Sequence, residues 1–146
     1  MNKLHIKKFV DTNILIYAYD ISAKEKHNIS KNIISEIWNL QNGYISIQVL
    51  QEFYITTTRK VHIPLSKDES IGIIKELSLW NVYSPNKEDI VVAINLQDKY
   101  MISFWDAMIL MSAKKCNCSI LFTEDLNNNQ IYDGVTAINP FLKFSN

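Results

Sequence analysis

The sequence predicts an α/β domain: a parallel sheet with helices over both faces. Short apolar segments suited to strands alternate along the chain with longer segments of helical period, and that alternation places strands side by side under helices. The 146 residues are 47% apolar and 21% charged, with 3 Gly and 3 Pro. This composition fits one domain over residues 1–146 with a substantial core, and argues against disorder or repeats. The first strand runs directly into an acid and then a helix, in Phe9-Val10-Asp11-Thr12-Asn13-Ile14-Leu15. A carboxylate at a strand's C-terminal tip lies where open α/β sheets bind ligands.

The elements follow in order. After Asp11 a short helix takes in Ile14, Leu15, Ile16, Tyr17 and Ala18, and Asp20 to Ser22 form a turn. A helix over 23–40 places Ile29, Ile33, Ile34, Ile37 and Trp38 at steps of three and four, one buried face, and Asn42-Gly43 stops it. Tyr44-Ile45-Ser46 is the second strand. The helix over 47–60 buries Leu50, Phe53, Tyr54 and Thr57 and carries Glu52 off that stripe, on a side with Gln48 and Arg59. Ser66-Lys67-Asp68-Glu69 has capping-box spacing and opens a helix to about residue 79, with Ile71, Ile74, Leu77 and Ser78 facing inward. Val82-Tyr83 is the third strand. The run from Glu88 to Leu96 is β-branched, but its acidic start and its length favour a helix over 86–100, with Ala93, Ile94 and Gln97 on one face. Ser103 caps a helix reaching Lys115, with Asp106 in its first turn and Lys114-Lys115 at the negative end of its dipole. Ser119 to Phe122 is a buried strand ending in Thr123-Glu124-Asp125, Asn127 to Asn129 a loop, and Val135 to Ile138 a last strand closed by Asn139-Pro140.

Several function classes are excluded or left without support. No apolar run approaches the roughly 20 residues that span a bilayer, and the basic start, Met1 to Lys8, is not followed by a signal-peptide core. A cytoplasmic protein with no membrane role is expected. Cys116 and Cys118 form a C-x-C pair too tight for a disulfide, and with His5, His27 and His62 scattered there is no zinc set. The net charge of zero gives no support to a broad basic surface of the kind nucleic-acid binders carry, but four acids neutralised by metal would leave the rest of the chain net positive, so charge balance neither supports nor excludes a nucleic-acid substrate. Basic groups are local: Lys7-Lys8, Arg59-Lys60 with His62, and Lys114-Lys115.

Four acids carry the chemical argument: Asp11, Glu52, Asp106 and Asp125. Two end strands, one sits on a helix and one begins a helix, positions that a parallel sheet can gather at one edge. Oxygen donors of this kind suit Mg²⁺, and like charges held together would cost stability without a cation. Each acid also has a local reading. Asp11 serves as an N-cap, Asp106 completes a cap with Ser103, Glu52 is a solvated helix residue, and Asp125 beside Glu124 is turn chemistry. Thr12, Asn13 and Thr123 either hydrogen-bond these turns or orient the acids from behind. Phe104 and Trp105 are expected to pack in the core rather than stack on a base. A phosphatase using Asp11 as nucleophile would want a second Asp where Asn13 stands.

Phe9-Val10-Asp11-Thr12-Asn13, Gln51-Glu52-Phe53, Trp105-Asp106-Ala107 and Thr123-Glu124-Asp125-Leu126 together resemble the four acidic motifs of the PIN domain family, most closely its VapC-like ribonuclease toxins. The resemblance spans nearly the whole chain. It implies a three-layer α/β/α sandwich with a central parallel sheet and a Mg²⁺- or Mn²⁺-dependent endoribonuclease. It also implies a homodimer and an antitoxin partner that blocks the site. Asp11, Glu52, Asp106 and Asp125 then take the metal-site roles, with Glu124 competing with Asp125 for the last of them. A metal-activated water would attack the phosphodiester of an RNA substrate in line, leaving a 5′-phosphate and a 3′-hydroxyl. The alternative within the family is a catalytically silent RNA-binding or protein-interaction module.

Overall fold

The computed structural model describes residues 6–142. Met1 to His5, part of the basic start, and the last four residues lie outside the described residues. Six strands form one sheet in the order β3-β2-β1-β4-β6-β5. They are β1 (Lys8–Val10), β2 (Gly43–Ser46), β3 (Asn81–Tyr83), β4 (Ile120–Phe122), β5 (Ile131–Tyr132) and β6 (Val135–Ile138). Five run parallel, as expected; β5 pairs antiparallel with β6 at one edge. The helices are α1 (Thr12–Tyr19), α2 (Glu25–Leu40), α3 (Ile47–Arg59), α4 (Lys67–Leu77), α5 (Lys87–Tyr100) and α6 (Phe104–Lys115), with a 3₁₀ turn at Ile21–Ala23.

Strand order explains the layering. The chain moves outward from β1 to β2 to β3, then crosses back to β4 on the other side of β1. Right-handed crossovers therefore put the helices before β3 on one face and α5 and α6 on the other. Helices α1, α2, α3 and α4 pack as one connected group, and α5 and α6 pack on each other. The core between the layers holds Phe9, Leu15, Ile37, Ile45, Phe53, Leu110, Met111 and Leu121, all essentially solvent-free.

The ambiguous β-branched run at 88–96 is helical. Asn86 and Asp89 close a reciprocal capping box there, and buried Asp89 also accepts from the Tyr83 hydroxyl at 2.5 Å. The buried stripe of α5 is Asp89, Ala93 and Leu96, so Ile94 lies outside it and is exposed. The stripe of α4 differs in the same way. Ser70 and Leu77 are buried, whereas Ile71 and Ser78 face solvent, and the Ser78 hydroxyl donates to its own helix at the carbonyl of Ile74. In both helices a small or capped polar residue takes the close-contact position and turns the neighbouring Ile outward.

Two turns decide how the sheet closes. Helix α2 ends at Gln41, which takes the left-handed conformation (φ 53°). Gly43 is needed for space instead: a Cβ there would lie 2.4 Å from Ile37 Cγ2 and 2.7 Å from Trp80 Cε3. Asp133 (φ 48°) and Gly134 (φ 88°) form the tight turn between β5 and β6, in the left-handed pair that matches strand twist. Lys99, Tyr100 and Lys114 all bind the Asp133 carboxylate, at 2.6, 2.5 and 2.9 Å. The hairpin edge is thereby tied to α5 and α6.

Candidate active site

The site forms at the C-terminal edge of the sheet. Strands β1 and β4 pair in register, with Val10 opposite Phe122, so the residues that follow, Asp11 and Thr123, emerge side by side. Asp11 caps α1 by accepting from the Thr12 N–H at 2.7 Å, so its local reading holds. Its second oxygen accepts from the Thr123 hydroxyl at 2.8 Å. Asp106 sits in the first turn of α6, where Ser103 Oγ accepts from its N–H at 3.1 Å. In α4 and α5 the third helical residue returns that bond with its side chain. In α6 only the Ser103 half is made, and the Asp106 carboxylate lines the same cavity as Asp11.

Asp11, Asp106 and Asp125 come together: one carboxylate oxygen from each lies within 4.8 Å of the others. Glu52 lies outside that tight set, on the wall of the same cavity of about 120 Å³, together with Thr12, Asn13, Gln48 and Trp105. It is positioned by α3, which starts straight from β2 with Ser46 as its cap. Glu124, the rival of Asp125, is engaged elsewhere. Lys26 binds it at 2.9 Å and the Tyr17 hydroxyl donates to it.

The three polar residues singled out from sequence each hold one acid. Thr123 donates to Asp11 as described. The Thr12 hydroxyl donates to Glu52 Oε1 at 2.9 Å, and Asn13 Nδ2 donates to Asp125 Oδ2 at 3.3 Å. Thr123 Oγ also accepts from the Asp125 N–H at 3.1 Å, so one hydroxyl couples two of the acids.

Burial and mutual repulsion load this cluster. Asp11 is 6% exposed. Desolvation first, then the charges of Asp125 and Asp106, push its pKa up from 3.8 to about 7, against the lowering effect of the Thr123 and Thr12 hydrogen bonds. The Asp125 pKa is raised too, by partial desolvation and by the charges of Asp106, Glu124 and Glu52, with a hydrogen-bond interaction with Asp11 acting in the opposite direction. Such a site favours whatever brings positive charge to it.

The PIN domain family model matches residues 8–133. The chain belongs to the PIN domain family. No curated protein matches it, but solved structures do. A toxin–antitoxin complex from Klebsiella pneumoniae is 21% identical with a TM-score of 0.68, covering 92% of this chain and 98% of that one. VapC20 of Mycobacterium tuberculosis, described as a sarcin–ricin-loop-cleaving toxin, is 15% identical with a TM-score of 0.60, over 79% and 87% of the two chains. DNA-bound VapBC of Salmonella typhimurium is 20% identical with a TM-score of 0.61, over 90% and 96%. At these identities the likeness is one of fold, and it agrees with the PIN architecture read from the motifs.

At the site of this PIN domain, one sequence expectation is overturned. Trp105 does not pack in the core: it is 61% exposed, because it falls on the outer side of the first turn of α6 while Ala107 and Met108 turn inward. Only Phe104 packs against the core. Two contributors were not singled out for the site. Gln48 Nε2 donates to Glu52 Oε1 at 3.3 Å, and its position four residues earlier on α3 was the available signal. Lys26 restrains Glu124 across 98 residues of sequence, and no local pattern marks such a contact.

Proposed function

We propose that this PIN domain is a divalent-metal-dependent endoribonuclease, the toxin of a toxin–antitoxin pair acting in the cytoplasm. The observation that carries the reading is the convergence of Asp11, Asp106 and Asp125 oxygens within 4.8 Å. The donor set fits Mg²⁺ or Mn²⁺. All three ligands are hard oxygens, and octahedral Mg²⁺–oxygen bonds of about 2.1 Å place ligand oxygens roughly 3–4.2 Å apart, inside the 4.8 Å within which the three oxygens lie. The upward-shifted pKa of Asp11 reflects burial first and then the charges of Asp125 and Asp106, and a divalent ion relieves that repulsion.

Asp11, Asp106 and Asp125 would hold the ion. When bound, it supplies Lewis acidity toward water and a phosphate oxygen. The protein's own groups do the rest. Thr123, Thr12 and Asn13 fix the carboxylates of Asp11, Glu52 and Asp125, so little reorganisation is needed when charge develops. Thr12 and Gln48 both donate to Oε1 of Glu52, which leaves Oε2 to orient water or take its proton. Lys26 and Tyr17 engage the Glu124 carboxylate, and the Lys26 charge offsets it, limiting the charge a phosphate must meet.

An antitoxin partner is supported by the toxin–antitoxin complexes among the structural neighbours. A homodimer is supported by α5, which exposes Ile90, Val91 and Ile94, with Met101 just beyond it. The test is RNA cleavage by the purified protein in Mg²⁺ or Mn²⁺. Cleavage that EDTA abolishes and Asp106→Asn lowers by at least about 100-fold is expected, with 5′-phosphate products. No cleavage of any RNA despite measurable metal binding would leave the silent binding module instead.

A further inference from the structure

Trp105 stands beside Asp106 on the cavity wall, yet 61% of it is exposed. Among the described residues the other two tryptophans pack on each other, Trp38 against Trp80 at 5.6 Å. Trp105 is held rather than loose. Its ring meets Phe104 edge to face, with centroids 5.0 Å apart and planes at 72°. Its carbonyl accepts from Gln48 Nε2 at 3.4 Å, which ties the start of α6 to α3. A large aromatic side chain left in water forgoes its burial energy, and here its ring rests on Phe104 while its backbone is anchored to α3.

From this geometry we propose that the Trp105 indole is a stacking platform for an unpaired nucleobase next to the phosphate engaged by the acid cluster. The proposal rests on the nuclease reading for the placement of that phosphate. A base is joined to its phosphate through one sugar, so a flat π-face on the residue preceding Asp106 lies within a nucleotide's reach of the cluster. The surroundings favour a base over an apolar peptide side chain. The cavity around this single aromatic face is lined by polar side chains, Asn13, Gln48 and Thr56 with the acids, whereas a peptide anchor wants an apolar socket. Stacking of this kind requires single-stranded RNA, because a base within a duplex has no free face.

The experiment compares wild type, Trp105→Ala and Trp105→Phe. Binding of a labelled single-stranded RNA is measured by anisotropy in Ca²⁺, and cleavage is measured separately in Mg²⁺ or Mn²⁺. Trp105→Ala is expected to bind RNA roughly 5- to 150-fold more weakly, the range for loss of one stacked base, and Trp105→Phe to recover most of the loss. An oligomer of abasic ribose phosphates should bind wild type and Trp105→Ala alike. Equal RNA affinity for Trp105→Ala and wild type overturns the proposal, as does a Trp105→Ala loss that is just as large on the abasic oligomer. If Trp105→Ala loses only a co-expressed protein partner while RNA affinity holds, the surface is a protein contact and the proposal falls. The two readings fail separately. Stacking without cleavage sinks the nuclease reading alone, and cleavage indifferent to Trp105 sinks the stacking alone.

Discussion

Replacing Asp11 with Asn in metal-free protein should shift stability in the variant's favour as pH rises. The Asp11 pKa lies at about 7 in the fold against 3.8 for an exposed carboxyl. The native state therefore keeps a proton that the unfolded chain has released, so wild-type stability is highest in acid and falls as pH rises from about 4 through 7. Worked through the linkage relation, the cost to the wild-type fold is about 2 kcal/mol at pH 5 and about 4 kcal/mol at pH 8.5. The amide carries no charge at either pH. It also has one acceptor where the carboxylate has two, and both are used, by the Thr12 N–H at 2.7 Å and the Thr123 hydroxyl at 2.8 Å. Losing one of these costs about 1–3 kcal/mol at every pH. The offset therefore depends on local repacking, but the change between pH 5 and pH 8.5 does not: the variant gains about 2–3 kcal/mol on wild type. Urea unfolding in EDTA, followed by circular dichroism at both pH values, measures it. Adding Mg²⁺ or Mn²⁺ at about 100 times its dissociation constant should restore roughly 3 kcal/mol to wild type and much less to the variant. A stability difference that does not move with pH would refute the account of Asp11 as a buried, repelled carboxylate.

Two further changes test the scaffold and the support of the acids. Gly43→Ala should lower stability by about 1–3 kcal/mol by overpacking, since its Cβ would meet Ile37 and Trp80 at 2.4 and 2.7 Å; an unchanged melting temperature would contradict that close approach. Thr12→Val keeps the shape but removes the donor to Glu52 at 2.9 Å. It should cut metal affinity or RNA cleavage about 10- to 100-fold with little change in unfolding midpoint, and wild-type activity in the variant would show that Glu52 needs no such restraint.

The order of strands and helices was legible because period and caps are local: Ser66 with Glu69, Ser103 before Asp106, and the apolar entry to Asp11 all act within a few residues. The short β5 was missed, although Asp133-Gly134 signals a tight turn, because two residues carry too little periodicity to mark a strand. The outward turn of Ile71, Ile94 and Trp105 was illegible for another reason. Which side of a helix is buried depends on what it packs against, and composition alone does not specify the neighbour.

By itself, then, the sequence determined that strand-tip and helix-start acids would occur in a fixed order on an α/β frame, since propensity and capping are properties of neighbouring residues. Tertiary structure alone decided that β1 and β4 pair in register, bringing Asp11 and Thr123 into contact across 112 residues. It also decided that Asp125 joins the cluster while Lys26 and Tyr17 draw Glu124 away. Those outcomes come from sheet register and from charges meeting through space, neither of which is encoded in any single stretch of chain.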